Sequence, residues 1–270
     1  MRRFFVASTL FAVATLAAAA LPAAAHAQIA VLSSTVEERV AAPGDHYAGS
    51  IIISNAGAAP QTVRLYKTDY RFQADGTSNF DPAGTDPRSN AAWITPQLSQ
   101  VVVPANSKVT VPYAVEVPAG DSLVGSYWST LMVEGESTPP SAGSGQPEMK
   151  IGAVMRYAVQ VATHIDNTGT RSVAFTDAGI SKSEAGAAAL DVNVHDDGQR
   201  SYRPTLWVEI YDAQGALKAK ARQTRGLLYP GTSLHQHFDL GDLPAGAYKA
   251  VVFADVGAPA VIAAQYSVTF

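Results

Sequence analysis

The 270-residue sequence contains no cysteine. Exported proteins usually gain stability from disulfides, and a bacterial lipoprotein is attached through a cysteine at its first mature residue. We therefore expect no disulfide and no lipid anchor, so the folded chain must depend on core packing and turns. Hydrophobic residues make up 47% of the sequence, which is enough for sizeable cores and excludes a disordered chain.

Charge is also scarce, because only 16% of the residues are charged and 23 acidic residues outnumber 19 lysines and arginines. The formal net charge is −4. Proteins that bind nucleic acid neutralise its phosphates with a basic surface. We therefore expect no nucleic-acid partner.

Long apolar runs are confined to the N-terminus. Arg2 and Arg3 precede an apolar run at residues 4–20, and Ala25-His26-Ala27 forms a small-x-small cleavage site. This order is typical of a secretory signal peptide over residues 1–27, whose removal gives a net charge of −6 because it carries two arginines and no acid. Since no second run is long enough to cross a bilayer, we expect no integral membrane span. The expected location is the periplasm, with secretion or the cell surface as the alternative.

The rest of the chain consists of short runs of β-branched and aromatic residues cut by Gly, Pro, Asn and Asp. This pattern predicts an all-β fold, and strands at this spacing are typical of β-sandwiches. The strand candidates are residues 50–53, 62–66, 101–103, 108–111, 113–117, 128–133, 155–165, 189–194, 205–211, 227–229, 248–253 and 260–270.

An internal repeat divides these strands into two similar sets. Pro104 and Pro230 are each followed fourteen residues later by a Pro-Ala-Gly triplet and then by a tyrosine. A repeat of this length indicates two copies of one structural unit. We expect two immunoglobulin-like β-sandwich domains in tandem after the signal peptide, at residues 28–165 and 166–270.

The repeat extends more loosely upstream, where Asn55-Ala56-Gly57 corresponds to Asp196-Asp197-Gly198. In immunoglobulin-like sandwiches, an aromatic residue of the third strand packs in the core, and a corner tyrosine bonds back to the backbone. We predict that Trp207 has the first role in the second domain and that Tyr248 has the second.

Short motifs do not predict catalysis. Gly120-Asp121-Ser122-Leu123 matches the nucleophile block of a lipase-like hydrolase family. That chemistry needs a serine near the start of an α/β domain and a late Asp-x-x-His, whereas this motif falls on a predicted sandwich corner. The sequence also lacks a phosphate-binding loop and a zinc-hydrolase motif. We therefore expect neither enzymatic activity nor a cofactor.

Two groups of residues are candidate metal sites. His235 and His237 would share one face of a strand, but a zinc site needs further ligands, so a solvated strand face is the favoured interpretation. Asp75-Gly76, with Asn79 and Asp81 nearby, lacks the regular carboxylate spacing of a calcium loop. An Asp-Gly hairpin turn is favoured there, with calcium binding as the alternative.

The order of motifs in the first half resembles the N-terminal domain of periplasmic pilus chaperones. The resemblance is carried by Arg39 before a turn, a strand ending in Ile51-Ile52-Ile53-Ser54-Asn55, a turn at Pro104, Tyr127-Trp128, and a loop before a long strand at residues 150–165. It implies two immunoglobulin-like domains and a partner that is an exported, pilin-like subunit. Such a partner is bound by strand addition.

The resemblance also implies candidate binding residues. In that family two basic residues in the cleft between the domains hold the subunit's C-terminal carboxylate, and Arg39 and Arg156 fall near the matching places. The last strand of the first domain carries alternating side chains that complete the subunit's fold. Here these would be Met149, Ile151, Ala153, Met155, Tyr157 and Val159, and the alternative is that they fill their own core.

Two features depart from the chaperone pattern. The acidic-basic motif that precedes the Tyr-Trp strand in that family is absent at residues 119–125, and residues 68–94 form a longer segment. Together with Ala42-Pro43-Gly44, the longer segment at residues 68–94 resembles WxL-interacting cell-surface proteins. The alternative function is therefore a cell-envelope binding or adhesion module that contacts wall polymer or a surface protein through residues 70–93.

Overall fold

The computed structural model describes residues 28–136, 154–182 and 187–270. Every helix or strand assigned in these residues is a β-strand, and the fold is an all-β pair of sandwiches, as the sequence predicts. The predicted signal peptide lies outside the described residues.

The strands up to Ile165 form two sheets, here called the N-terminal sandwich. One sheet has the order β1-β3-β8-β6, and the other has the order β2-β10-β9-β4-β5, with β7 also paired to β4. β2 pairs with β10 in parallel. The bounds are β1 (Ile29–Val31), β2 (Val36–Ala41), β3 (His46–Asn55), β4 (Gln61–Phe72), β5 (Ser78–Pro82), β6 (Ile94–Pro96), β7 (Gln100–Val103), β8 (Ser107–Glu116), β9 (Ser126–Gly135) and β10 (Arg156–Ile165).

Alternation along these strands builds the core of the N-terminal sandwich. Ile51 and Ile53 of β3 pack in one cluster with Leu65 of β4 and Leu131 of β9, and each is at most 4% exposed. Full burial of such a side chain contributes roughly 1.5 to 3 kcal/mol. Packing of this kind stabilises a domain that has no disulfide.

The strands from Val173 onward form two further sheets, here called the C-terminal sandwich. The sheet orders are β11-β12-β15 and β14-β13-β16-β17. The bounds are β11 (Val173–Lys182), β12 (Ala188–Asp196), β13 (Thr205–Tyr211), β14 (Leu217–Thr224), β15 (Ser233–Gly241), β16 (Ala247–Asp255) and β17 (Ile262–Thr269).

The repeated corners adopt related but unequal structures. The Tyr248 hydroxyl donates to the carbonyl of Pro244 at 2.8 Å, which confirms the predicted corner tyrosine. Tyr127, at the matching corner, instead accepts a long bond of 3.4 Å from the backbone N–H of Val124. The hydrogen bond of the corner tyrosine is therefore shorter in the C-terminal sandwich than in the N-terminal one.

The looser upstream repeat is also seen in the structure. Asn55 and Asp196 each end a strand, and each accepts a hydrogen bond from the glycine two residues later, at 2.8 Å from Gly57 and 2.7 Å from Gly198. Both side chains are buried. The two sandwiches thus use the same local turn with different polar residues.

The predicted core role of Trp207 is wrong. Leu206, Val208 and Ile210 of the same strand are fully buried in the core, so strand alternation directs Trp207 to the opposite face. There its ring stacks on Phe253, with ring centroids 4.9 Å apart. Residue type alone favours the core for a tryptophan, whereas strand parity, set by Leu206, Val208 and Ile210, directs Trp207 outward.

The segment after β4 is a hairpin, as predicted. Gln73 N–H donates to the carbonyl of Thr77 at 3.0 Å, and the Asp75 carboxylate accepts from the Thr77 backbone at 2.9 Å. Gly76 has a φ of +87°, which glycine adopts without strain. These contacts explain the Asp-Gly pair as turn chemistry.

Candidate functional site

β10 has one paired edge and one edge that is only partly covered. Its residues from Arg156 to His164 pair with β9, whereas the parallel ladder with β2 covers only Gln160 to Ile165. Gln160 N–H donates to the carbonyl of Thr35 on that second side at 2.8 Å. Because alternate residues present their backbone groups to the same side, those of Arg156 and Ala158 point to the edge that lies beyond β2.

The predicted partner-facing side chains have different environments. Val159 is 1% exposed and packs in the core of its own sandwich, so its side chain is not available to a partner in this arrangement. Tyr157 is half-buried against the same core, and its hydroxyl donates to Ile29 O at 2.9 Å. Met155 is 44% exposed. Met149, Ile151 and Ala153 lie outside the described residues.

The structure does not bring the two predicted arginines together. Arg39 is exposed on β2 opposite Thr163, and Arg156 begins β10 and pairs with Glu134 at 2.8 Å. Seven residues separate Thr163 from Arg156, which corresponds to about 23 Å along a strand. One carboxylate cannot contact both guanidinium groups across that distance.

Glu134 explains why Arg156 is held at the start of β10. Its carboxylate accepts a hydrogen bond from the Tyr66 hydroxyl at 2.7 Å. That bond, followed by the charges of Arg156 and Arg64, lowers the pKa of Glu134. The carboxylate therefore stays ionised and keeps Arg156 paired at neutral pH.

An aromatic stack connects the two sandwiches. The rings of Trp128 on β9 and Tyr229 lie 4.6 Å apart and nearly parallel, and both side chains are almost fully buried. The Tyr229 hydroxyl donates to Gln160 at 2.7 Å, and Phe72 meets Tyr229 edge-on. This contact is not predictable from a local pattern, although adjacent Tyr127 and Trp128 on one strand must face opposite sides of the sheet.

Close backbone packing accompanies this stack. A Cβ added at Gly125 would lie 1.8 Å from the carbonyl oxygen of Gln199, and Gly125 has a φ of +78°. Ser126 N–H donates to that same carbonyl at 2.8 Å. Arg200 donates to the carbonyl of Ile165 at 2.7 Å and to that of Thr168 at 2.9 Å. A glycine is therefore required at this close approach of the two sandwiches.

A polar network lies beside the same junction. Glu38 accepts from Arg203 and lies 3.2 Å from His164 Nε2, while His164 Nδ1 bonds to Ser126 Oγ at 2.7 Å. Burial lowers the pKa of His164 more than Glu38 raises it. The imidazole is thus neutral at pH 7 and bridges two strands without a net charge.

A cleft of about 520 Å³ opens between the sandwiches next to this junction. Tyr70, Phe72 and Leu227 supply apolar walls, and Gln160 and Arg225 supply polar groups. Within the described residues Arg225 has no ion-pair partner. This cleft could accept an apolar side chain together with an acceptor or anion.

The histidine pair forms a solvated strand face, as favoured from the sequence. His237 Nδ1 lies 2.7 Å and His235 Nε2 lies 3.2 Å from one oxygen of Asp191, and both rings are about half exposed. Among residues 28–136, 154–182 and 187–270, no group of three or more His, Cys, Asp or Glu side chains is arranged to hold a metal ion. In the same ranges, no helix is long and apolar enough to cross a membrane.

No family model matches the chain, and no curated protein matches it in sequence. Its structure is similar to solved pilus chaperones. For the class 5 fimbriae chaperone CfaA, the sequence identity is 8%, 88% of this chain and 98% of that chain are covered, and the TM-score is 0.46. For the chaperone DraB of E. coli, the identity is 12%, the coverage is 89% and 95%, and the TM-score is 0.43. A third similar structure is a chain from the CsuC–CsuE chaperone-tip adhesion subunit pre-assembly complex, from the archaic chaperone-usher Csu pili of Acinetobacter baumannii. Its sequence identity is 12%, 78% of this chain and 90% of that chain are covered, and the TM-score is 0.42.

Proposed function

We propose that this protein is a periplasmic chaperone-like protein that binds an exported pilus or surface subunit by adding a strand to the free edge of β10. The observation that supports the proposal is that, among the residues the structure describes, the start of β10 has a partner strand on its β9 side only. Arg156 and Ala158 present backbone groups beyond the end of the β2 ladder, and Met155 beside them is 44% exposed. Strand addition takes its affinity from such backbone groups and its specificity from alternate side chains.

The two arginines have separate roles in this proposal, because they lie at opposite ends of the β10 ladder. Arg156 is next to the free edge, where it can bind an acidic group of the subunit. Its guanidinium would then contact both that group and Glu134, with which it already forms an ion pair. Arg39 lies exposed at the other end of the ladder, beside the polar network of Glu38. Its substitution is therefore expected to affect binding less than that of Arg156.

The experiment measures co-purification of periplasmic subunits with the tagged protein, followed by identification of the partner by mass spectrometry. Met155→Ser and Arg156→Ala should each reduce the recovered partner severalfold. Leu98→Ser is a matched control, because Leu98 is 45% exposed on the same sandwich but lies between β6 and β7, neither of which pairs with β10. Equal recovery with Met155→Ser, Arg156→Ala and Leu98→Ser would contradict binding at this edge.

A second measurement locates the contact. With the identified partner added, hydrogen exchange at Arg156 and Ala158 should slow, because their N–H groups would enter a new ladder. Unchanged exchange at both amides, with partner bound, would place the contact elsewhere on the protein.

The second candidate function is binding to wall polymer or a surface protein through residues 70–93. Phe80 favours it, since this ring is 44% exposed and stacks on Tyr70 with centroids 5.1 Å apart. Sedimentation with purified peptidoglycan tests it. Binding that is lost in Phe80→Ser but retained in Met155→Ser would support this second function over the first.

A further inference from the structure

The last strand of the C-terminal sandwich is an edge strand with an unused side. β17 pairs with β16 and has no other partner strand in the described chain. Gly246 and Phe270 exchange two backbone bonds of 3.0 Å at its end. Because hydrogen-bonded pairs alternate in an antiparallel ladder, the backbone groups of Ala263, Gln265 and Ser267 point away from β16. Each of these three side chains is exposed.

β17 differs from the other long edges of the protein. Unpaired edge strands invite pairing with other chains, and proteins usually protect them with charged residues or proline. β17 reads Ile-Ala-Ala-Gln-Tyr-Ser-Val-Thr. Among edge strands longer than four residues in the described chain, it alone lacks charged residues, histidine and proline. The others carry Glu37, Glu38 and Arg39 in β2, Asp81 and Pro82 in β5, Asp177 in β11, Lys218, Lys220 and Arg222 in β14, and His235, His237 and Asp239 in β15.

The contrast is sharpest within a single sheet. β14 and β17 are the two edges of the same four-stranded sheet. An antiparallel pair of two β14 strands would set lysines and arginine against their own copies, and like charges directly opposite each other are destabilising. An antiparallel pair of two β17 strands would oppose only neutral residues. β11 of the facing sheet approaches β17 but forms its ladder with β12.

We propose that two copies of this chain associate through β17 to form a symmetric dimer with a continuous sheet of eight strands. A two-fold axis through Gln265 sets this residue opposite its own copy and sets Ala263 opposite Ser267. This register keeps the outer and inner faces of both sheets aligned. It forms about six backbone hydrogen bonds between the chains. The small side chains at Ala263 and Ser267 leave the neighbouring strand room to approach.

Sedimentation equilibrium of the purified protein tests this proposal. The wild-type protein should have a mass of two chains at high concentration, with a measurable dissociation constant. Gln265→Lys should raise that constant by about tenfold, because two ammonium groups then face each other at the axis. Ser267→Pro should raise it by on the order of a hundredfold, since it removes a donor that only the dimer uses.

Gln97→Lys is the matched control. It makes the same change of charge at an exposed glutamine of the N-terminal sandwich, and its dissociation constant should equal that of the wild type. Circular dichroism checks that every variant keeps its strand content. A wild-type protein with the mass of one chain at every concentration would overturn the proposal. A dimer that Gln265→Lys and Ser267→Pro leave unchanged, or that Gln97→Lys weakens equally, would overturn it as well.

Discussion

Asp196 is a buried carboxyl group whose hydrogen bonds are incomplete. It is 0% exposed, and one oxygen accepts the Gly198 N–H while the other is buried without a partner in the described structure. Asn55 holds the equivalent place in the N-terminal sandwich, and its amide nitrogen donates to the carbonyls of Val103 and Pro104. A carboxylate at Asp196 cannot make such donations, whereas a protonated acid or an amide can.

Burial raises the pKa of Asp196 from 3.8 to about 7, with a smaller contribution from the charge of Asp197. The unfolded chain releases this proton near pH 3.8, but the folded chain holds it until about pH 7. The folded state therefore binds more protons between these values, so the free energy of unfolding falls as the pH rises through this window.

The size of the effect follows from the shift in pKa. Between pH 5 and pH 8, a shift of this size removes roughly 2.5 kcal/mol from the free energy of unfolding. Asp196→Asn keeps the acceptor for Gly198 and adds the donor that Asn55 uses in the other sandwich. Because Asn does not titrate, we expect the variant to avoid this loss of unfolding free energy between pH 5 and pH 8. It should therefore be more stable than the wild type at pH 8.

Urea unfolding of both proteins at pH 5 and pH 8 measures the difference. Other titrating groups, including His164, are common to the two proteins and cancel in the comparison. Asp242→Asn is the control, because Asp242 is exposed and the substitution removes the same charge. If the wild type and Asp196→Asn show the same change in stability between the two pH values, Asp196 is not protonated in the folded protein and the reasoning fails.

Three further comparisons test the packing, the first two by urea unfolding and the third by thermal unfolding. Tyr229→Ala should cost roughly 3 to 5 kcal/mol because it empties the stacked junction, whereas Tyr229→Phe should cost about 1 kcal/mol for the lost bond to Gln160; equal costs would refute the role of the stack. Trp128→Ser should destabilise the protein by several kcal/mol more than Trp207→Ser, and the reverse order would restore Trp207 to the core. Gly125→Ala should lower the melting temperature by more than 5 °C, because the new Cβ would clash with Gln199 and because a positive φ costs a non-glycine residue about 1 to 3 kcal/mol. An unchanged melting temperature would contradict the close contact with Gln199.

Local patterns in the sequence were enough to predict many of the strands, the repeated turns and the corner tyrosine. They did not predict β2, β11, β14 or β15, and the predicted strand at residues 227–229 is wrong, because Leu228 forms only an isolated bridge with Tyr202. The features that were predicted depend on residues close together in the chain, as with Tyr248 and the carbonyl of Pro244 four residues earlier. Trp207 shows the limit of this reasoning even within one strand. Successive residues of a strand face opposite sides of the sheet, and the neighbouring aliphatic residues together indicate which side faces the core.

Contacts between distant segments were not predictable in the same way. Trp128 and Tyr229 are separated by about a hundred residues, and no local pattern marks them as partners. The separation of Arg39 from Arg156 depends on the register of the parallel β2–β10 ladder. A sequence shows that two strands exist, but register follows from which side chains the folded core accommodates.

The absence of cysteine gives these distant contacts their importance for the arrangement of the two sandwiches. No disulfide fixes the angle between the sandwiches, so noncovalent contacts must do so, and these include the Trp128–Tyr229 stack and the Gly125–Gln199 contact. Rotation that widens the cleft would expose the stacked rings and break the bonds of Arg200 to the junction. Under the proposed function, a partner strand would therefore meet less resistance along the free edge of β10 than between the sandwiches. If the proposed function is correct, substitutions at the junction should weaken partner binding only as far as they destabilise the fold.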